Sequence, residues 1–571
     1  MWYRVFSIVL PRSHCNSHPL TFPATEHFEF ENAPSPRMRH SGVILLLAAA
    51  LCTVHSVLSE SFSFPVAQQM RFPWDHSRPI TDKHNSFVAT YHLHGNLSDV
   101  DTVFLLINDG DHRYDTVMAS RASIFTSVFA DRYNAAVLYF PLRGWGFGPN
   151  VPVPADKRRF LTTAASIADI SLFLESVVYI DDGVNVKKRV VISGVGHGGA
   201  IAAWYHQAHP NAVQFALLDT PYLSAPVSHP GYYSQSAVTQ QAASPRCAGA
   251  LANVTAQLAA VLESGDRRLH DKFAQDANLC SPITPWTLGF AEQNRLNNGV
   301  SLDVYKAFFW HSLFYPMSRA YNAVFPTRDR SSAGICHPCF YLEQSDPWFY
   351  FGGSLRTVRG HEGCLETRLD AWLITSSSLD RRGASDRDHD IHEENMLTQS
   401  CLERAAFPVA STAGAHLTPV PTVTSVLTEA NIGTVCETWL GLVPGQGVAT
   451  AKAGAAALAA EHGDAQTYTG VNVFVIAAKS DHGISLAPRN TKNVVGRQYD
   501  VASREAEVSM IVSMGTGSVR EIEGKKGKVF LQEGLIGDTE ELKQVRKELT
   551  SYLDSVLQVK NNNKAMKMHC M

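Results

Sequence analysis

The chain lacks a surplus of positive charge, since its 49 lysines and arginines are set against 53 aspartates and glutamates, giving a net charge of -4. This balance gives no support to nucleic acid as a partner. Charged residues are also sparse, at 18%, whereas hydrophobic residues make up 45%. A chain of 571 residues with this composition can bury a sizeable core, which argues against global disorder.

A comfortable membrane span needs about 20 apolar residues, and the apolar run at residues 43–54 is shorter. The run follows Arg37 and Arg39 and precedes small and polar residues, an order typical of a signal peptide. Because a signal peptide begins at the initiator, Met38 is an alternative start; a signal anchor or a buried helix is the competing interpretation. We expect the secretory pathway, extracellular or lysosome-like, and glycosylation at the sequons of Asn96 and Asn253.

Cysteine is concentrated in the middle of the chain. Ten are present; two precede residue 60, and the others, except Cys570, lie between residues 247 and 436. In a secreted chain this pattern predicts disulfides in that region, with the connectivity undetermined. Cys336 and Cys339 could instead form a redox or zinc pair, but no second paired motif accompanies them.

A charged, serine-rich run at residues 376–394 contains aspartate, histidine and glutamate side chains that could be imagined as metal ligands. No periodicity or turn fixes their geometry, so the run is interpreted as a solvated loop. We therefore expect neither a metal nor a cofactor.

Short apolar runs alternate with helical stretches in the first part of the chain, which predicts a mostly parallel sheet covered on both faces. The predicted strands are Val103–Ile107, Ala135–Phe140, Val190–Ile192, Phe215–Leu218, Val471–Ile476 and Val508–Val512, and the predicted helices are Ala119–Ala130, Thr162–Val178, Ala200–Ala208 and Thr539–Leu557.

The alternation stops near Asp219 and resumes near Val471. The expected organisation is an extension with signal peptide at 1–60, a first part of the sheet domain at 61–225, an inserted helical cap at 226–465, the second part at 466–559 and a tail at 560–571. No internal repeat is evident.

The segment Arg189–Trp204 runs from an apolar strand through a glycine cluster into a helix. Dinucleotide-binding proteins use that order, and Gly194, Gly196 and Gly199 satisfy their G-x-G-x-x-G spacing. Asp219, about 20 residues further on, is placed where a ribose-binding carboxylate belongs. An NAD(P)-dependent oxidoreductase is therefore one alternative.

The nucleophile elbow of serine hydrolases, G-x-S-x-G, uses the same order. Here the frame is Gly194 to Gly198, and Gly196 occupies the central position. The local motif fits both interpretations, so the sequence on either side of it has to decide between them.

Over roughly residues 68–557 the chain resembles the proline-directed serine exopeptidases: lysosomal Pro-Xaa carboxypeptidase, dipeptidyl peptidase II and thymus-specific serine protease. The order and spacing of several motifs together carry the resemblance. These are Phe72–His76, Phe140–Pro149, Arg159–Thr162 with Ala168-Asp169, Gly194–Trp204, Ser224–Pro226, Cys247 and Leu279–Pro282. The resemblance implies an α/β-hydrolase fold with an inserted, mostly helical cap, and proteolysis of proline-containing peptides.

The family's Ser-Asp-His triad is incomplete in this chain. Its serine maps onto Gly196 and its aspartate onto Asp481, which can also be read as a plain acceptor in a strand-end turn. The turn expected to carry the histidine, around Ser518, contains none. His482 is adjacent to the aspartate and His569 is in the tail, so neither is well placed as the base.

Loss of nucleophile and base predicts an inactive member. The remaining oxyanion donors would be the backbone N–H groups of His197 and of a loop at Gly110. A hydrolase with a relocated nucleophile at Ser193 is a further alternative. A peptide ligand is expected, and a homodimer is left open.

Overall fold

A computed structural model of the chain describes residues 66–107, 125–145, 153–181, 184–219, 221–230, 232–233, 245–280, 300–323, 364–369, 394–409, 426–468, 470–476 and 540–557. Seven strands of these residues form one sheet: β1 (Val66–Pro73), β2 (Ser86–His94), β3 (Thr102–Ile107), β4 (Ala135–Phe140), β5 (Arg189–Val195), β6 (Phe215–Asp219) and β7 (Val473–Ile476).

The order of strands across the sheet is β1-β2-β4-β3-β5-β6-β7. β2 runs antiparallel to both of its neighbours, and the pairs from β4 to β7 are parallel. Every residue of β3 and β4 is buried, as expected for parallel strands that are covered on both faces.

Among the α-helices in the described part of the chain, nine are labelled here. They are α1 (Ala130–Tyr133), α2 (Thr163–Phe173), α3 (Gly196–Ala208), α4 (Pro245–Ser264), α5 (Arg267–Asp276), α6 (Leu302–Ala323), α7 (Glu429–Leu440), α8 (Gly447–His462) and α9 (Glu540–Val556). Three π-helical turns lie at Phe125–Phe129, Leu174–Val178 and Ser400–Arg404.

The core lies on both faces of the sheet. On one face, Val190 and Ile192 of β5 pack with residues of α2 and α3, such as Ile170 and Ala203. On the other face, Val191 of the same strand packs in a cluster with residues of α1 and α9. The alternation of side chains along β5 thus divides the core into its two halves.

This mostly parallel sheet with helices on both faces, and with a strand-to-helix elbow at the end of β5, is the α/β-hydrolase fold. The dinucleotide-binding alternative is wrong, because in that fold the glycine motif follows the first strand of a parallel sheet in the order 3-2-1-4-5-6. Here the glycines follow the fifth strand in sequence, and β2 is antiparallel.

The interval between β6 and β7 supplies α4 to α8 and two disulfides. Cys280 is bonded to Cys364, and Cys401 to Cys436. The prediction of disulfides in this region is confirmed. The possible pair at Cys336 and Cys339 lies outside the described residues.

Residues 394–409, which we name the docking segment, lie in this interval and contact the loop after β4 and the segment after β6. The Nδ2 of Asn395 donates to the carbonyl oxygen of Gly144 at 2.7 Å. Phe407–Pro408 forms a short parallel strand pair with Ser228–His229. None of the helices in the described part of the chain is long and apolar enough to cross a membrane.

Candidate functional site

The elbow between β5 and α3 is the candidate site. Val195 ends the strand in extended conformation, and α3 begins at Gly196 with φ +53°, in the left-handed region. Regular structure flanks Gly196 on both sides, because β5 ends just before it and α3 continues after it. A position of this kind favours glycine, because other residues are strained there.

The glycines on either side of Gly196 are required by close packing of strand against helix. A Cβ on Gly194 would lie 2.5 Å from the carbonyl carbon and oxygen of Gly198. A Cβ on Gly199 would lie 2.9 Å from the carbonyl oxygen of Gly194. The flanking glycines of a nucleophile elbow serve the same purpose. The architecture of the elbow is therefore present, with no side chain at its centre.

Two further loops border the elbow. The backbone N–H of Tyr222, in the segment after β6, donates to the carbonyl oxygen of Gly196 at 3.1 Å. His197 is buried, and the centre of its ring is 6.3 Å from that of Trp145. Its backbone N–H belongs to the first turn of α3, the position from which the predicted oxyanion donor would act.

A cavity of about 90 Å³ adjoins the elbow through Tyr222. The docking segment and α7 line one side of it, and the segment after β6 lines another. Its lining is mostly apolar and aromatic, with His229, His311 and Arg404 as polar members. Ligand sites commonly combine an apolar lining with a few polar groups in this way.

Burial lowers the pKa of His311 to about 4. Its Nδ1 lies 3.2 Å from the hydroxyl of Tyr233. The imidazole is therefore neutral near pH 7, and it forms part of a neutral, hydrogen-bonded wall of the cavity. No periodicity or motif in the sequence points to His311, because its role depends on the packing of α6 against the segment after β6.

The structure also brings together three residues from separate motifs. The guanidinium of Arg143 forms two hydrogen bonds with the carboxylate of Asp169, at 2.7 and 2.9 Å, and both side chains are buried. His76 Nε2 lies 2.8 Å from the same carboxylate. Arg143 also donates to the backbone carbonyls of Trp74 and Phe160.

This cluster is structural. Every donor of Arg143 named above is directed to an acceptor within the protein, which satisfies a buried charge that would otherwise be costly. It ties the end of β1 to α2 and orients the loop that carries Gly144 and Trp145 toward His197. The motifs that carry the sequence resemblance thus meet in space, a grouping that their distances along the chain do not reveal.

Other predicted site residues lie outside the described part of the chain: Asp481, Ser518, Gly110, His482 and His569. The sequons are described, and Asn96 and Asn253 are both exposed. Ser193 is buried within β5, where it pairs in register with Leu106 and Leu217. In the described residues, no group of three or more histidine, cysteine, aspartate or glutamate side chains could hold a metal ion.

Comparison with known proteins is consistent with this geometry. The family model of serine carboxypeptidase S28 matches residues 81–284, which include Arg143, Asp169 and the elbow. No curated protein matches the chain.

Several solved structures are similar over part of their length. They include a membrane phospholipase A described as a bacterial virulence factor (18% identity, TM-score 0.20, 32% of this chain and 52% of that one). A bacterial heroin esterase has 17% identity and a TM-score of 0.17, over 34% of this chain and 56% of that one. The protein VinJ has 15% identity and a TM-score of 0.24, over 41% of this chain and 69% of that one. The chain thus spans about half of the first two.

Residues 81–284, which contain β2, Arg143, Asp169 and the elbow, are therefore similar to the serine carboxypeptidase S28 family.

Proposed function

We propose that this protein is a catalytically degenerate serine exopeptidase of the secretory pathway, which binds peptides without hydrolysing them. The observation that carries the proposal is Gly196, which occupies the nucleophile position of the elbow in left-handed conformation. With no side chain there, no oxygen can attack a carbonyl from this place.

The family's other catalytic positions weaken the site further. The sequence has no histidine in the turn around Ser518. In serine proteases the loss of nucleophile or base alone lowers kcat by about a millionfold, and the loss of both costs little more. Asp481 without its partners cannot supply the reaction.

The position of Ser193 argues against a relocated nucleophile. Three residues before the elbow, it is still within β5, and only 2% of its surface is exposed. Side chains alternate along a strand, so Ser193 lies on the same face as Val191, which packs in the cluster beneath α1 and α9. A substrate carbonyl would have to enter that core to reach its hydroxyl.

Binding is supported by what the elbow region retains. The cavity next to Tyr222 combines an apolar, aromatic wall with polar groups at its edge. The family acts on proline-containing peptides, and an apolar lining suits a small, apolar side chain. Peptides of that class are therefore the proposed ligands.

The test combines labelling, turnover and binding. We expect no labelling by a fluorophosphonate probe in the purified chain, and binding of proline-containing peptides that mass spectrometry recovers intact. Gly196→Ser is expected to remain without peptidase activity, because the base is missing as well. Ser193→Ala is the matched control for labelling.

Two results would overturn this proposal. Probe labelling of the native chain that disappears in Ser193→Ala would establish a relocated nucleophile. Turnover gained by Gly196→Ser alone would show that a histidine reaches the elbow.

A further inference from the structure

The contact between Glu403 and the N-terminus of α2 holds the docking segment against α2, a helix that packs on the sheet. Glu403 lies in the π-helical turn Ser400–Arg404. One of its carboxyl oxygens accepts hydrogen bonds from the backbone N–H of Thr163, at 2.5 Å, and from the Thr163 hydroxyl, at 2.6 Å. Thr163 is the first residue of α2, so Glu403 satisfies an N–H that has no acceptor within the helix.

The same turn also forms part of the cavity wall. Ser400 and Arg404 line the cavity, as do Phe407 and Pro408 further along the docking segment. On its other side the turn is packed closely against α8, where a Cβ on Gly454 would lie only 2.6 Å from the Cα of Glu403. Any movement of the turn away from α2 would therefore change the cavity.

The backbone directly after Glu403 is strained. Ala405 and Ala406 have φ of +47° and +50°, in the left-handed region that residues other than glycine rarely adopt. Such residues cost about 1–3 kcal/mol each and persist only when surrounding contacts hold them. The contacts of Glu403 with Thr163 are among those that hold this turn, so weakening them favours release of the strain.

We propose that the protonation of Glu403 controls how firmly the docking segment is held against α2, so that this wall of the cavity is firmer at acidic than at neutral pH. The proposal rests on the proposed function only in taking the cavity as the binding place. The docking itself is tested independently of any peptide.

The charges around Glu403 set the direction of this effect. Burial raises the pKa of the Glu403 carboxyl to about 7, and it outweighs the two hydrogen bonds from Thr163, which lower it. Arg404, in the same turn, also lowers it, and Glu461 of α8 raises it. Glu461 is itself 3.6 Å from His462 Nε2.

The sign follows from proton binding. A carboxyl group with its pKa raised in the docked state and near its ordinary value of 4.5 in the released state holds more protons when docked. The stabilisation is therefore complete below about pH 4.5 and is lost as pH rises toward 7.

Hydrogen exchange of the full chain, compared at pH 5 and pH 8 after correction for intrinsic rates, tests this inference. In the native protein we expect the protection of residues 394–409 to fall by about tenfold or more between the two values. In Glu403→Gln, a permanently neutral side chain that still accepts both hydrogen bonds, protection should stay near its pH 5 level. Glu263→Gln, which removes an exposed carboxylate of α4, should behave like the native chain.

Glu461→Gln provides a second test should Glu403→Gln fail to fold. Removal of this like charge should make the fall in protection between pH 5 and pH 8 smaller and place its midpoint at lower pH. The docking segment should then be better protected at neutral pH than in the native chain. Equal protection of residues 394–409 at both pH values in the native chain, or unchanged pH dependence in Glu403→Gln, would overturn the inference. Peptide binding is measured separately. If docking depends on pH but the protein binds none of the proline-containing peptides, the proposed function is refuted and this inference stands.

Discussion

At the scale of single residues, the elbow contains glycines that are required for different reasons. Gly194 lies in extended strand, and the nearness of the backbone of Gly198 and Gly199 excludes a side chain there. Gly196 has φ +53°, a backbone conformation that disfavours residues other than glycine. Substitution of Gly194 therefore carries a steric cost, and substitution of Gly196 carries the cost of a strained backbone conformation.

Alanine at these two positions should destabilise the protein unequally. Gly196→Ala should lower the free energy of unfolding by about 1–2 kcal/mol, the cost of a non-glycine residue in the left-handed region. Gly194→Ala should cost more, about 3 kcal/mol or above, because a contact of 2.5 Å with backbone forces β5 and α3 apart. Urea unfolding of the two variants measures the difference. A larger loss of unfolding free energy in Gly196→Ala would show that the backbone conformation of the turn matters more to stability than the strand-helix contact.

At the scale of secondary structure, the apolar runs predicted the buried parallel strands well. β4 has the predicted bounds and β3 begins one residue earlier, at Thr102, because both strands are buried on two faces and appear in the sequence as nearly unbroken apolar runs. β7 begins at Val473 rather than Val471, since Asn472 adopts φ +57° and interrupts the extended chain. The predicted strand at Val508–Val512 lies outside the described residues.

The first two strands were missed for a physical reason. β1 and β2 pair antiparallel, and β2 alternates between buried and partly exposed residues. Its apolar residues are therefore interrupted by polar ones, and a search for continuous runs does not find it. The elbow was predicted from its motif, whereas the Arg143 cluster and the cavity depend on contacts between distant segments, which no local pattern contains.

The C-terminal helix illustrates how packing outweighs surface charge. α9 buries Leu549 and Leu553 completely against the cluster that contains Phe474. It also forms an ion pair at the surface between Asp554 and Arg132, at 2.6 Å. Both contacts fasten the same helix to the same face of the sheet.

Substitutions at the two contacts should differ in size. Leu553→Ala should lower the free energy of unfolding by about 2–5 kcal/mol, because it leaves a cavity in the core. Arg132→Ala should cost about 1 kcal/mol or less, since the pair is exposed to solvent and screened. Chemical denaturation of both variants provides the comparison, and equal losses would mean that α9 is held mainly by its charges.

At the scale of the whole molecule, the sheet is assembled from segments far apart in sequence. β6 ends at Asp219 and its neighbour β7 begins at Val473, so the entire interval with its helices and disulfides is inserted between adjacent strands. The interruption of strand-helix alternation led to the prediction of an inserted cap at residues 226–465, and these bounds remain a prediction. How the interval is held against the sheet was not predictable, because the docking segment makes its contacts through single residues such as Asn395 and Glu403.

This arrangement predicts that the interval loosens before the sheet does. The Cys401–Cys436 disulfide joins the docking segment to α7 and closes a separation of 35 residues, which is worth about 2–4 kcal/mol. The strands β3 to β6 are held by their own core on both faces and do not depend on this bond. In Cys401→Ala with Cys436→Ala, hydrogen exchange should therefore increase in residues 394–409 and α7, while β3 to β6 stay protected. The matched pair Cys280→Ala with Cys364→Ala should instead loosen the chain around the end of α5. If β3 to β6 lost as much protection as the docking segment, the interval and the sheet would have to unfold as one cooperative unit, and the docking segment could not move independently of the elbow beside it.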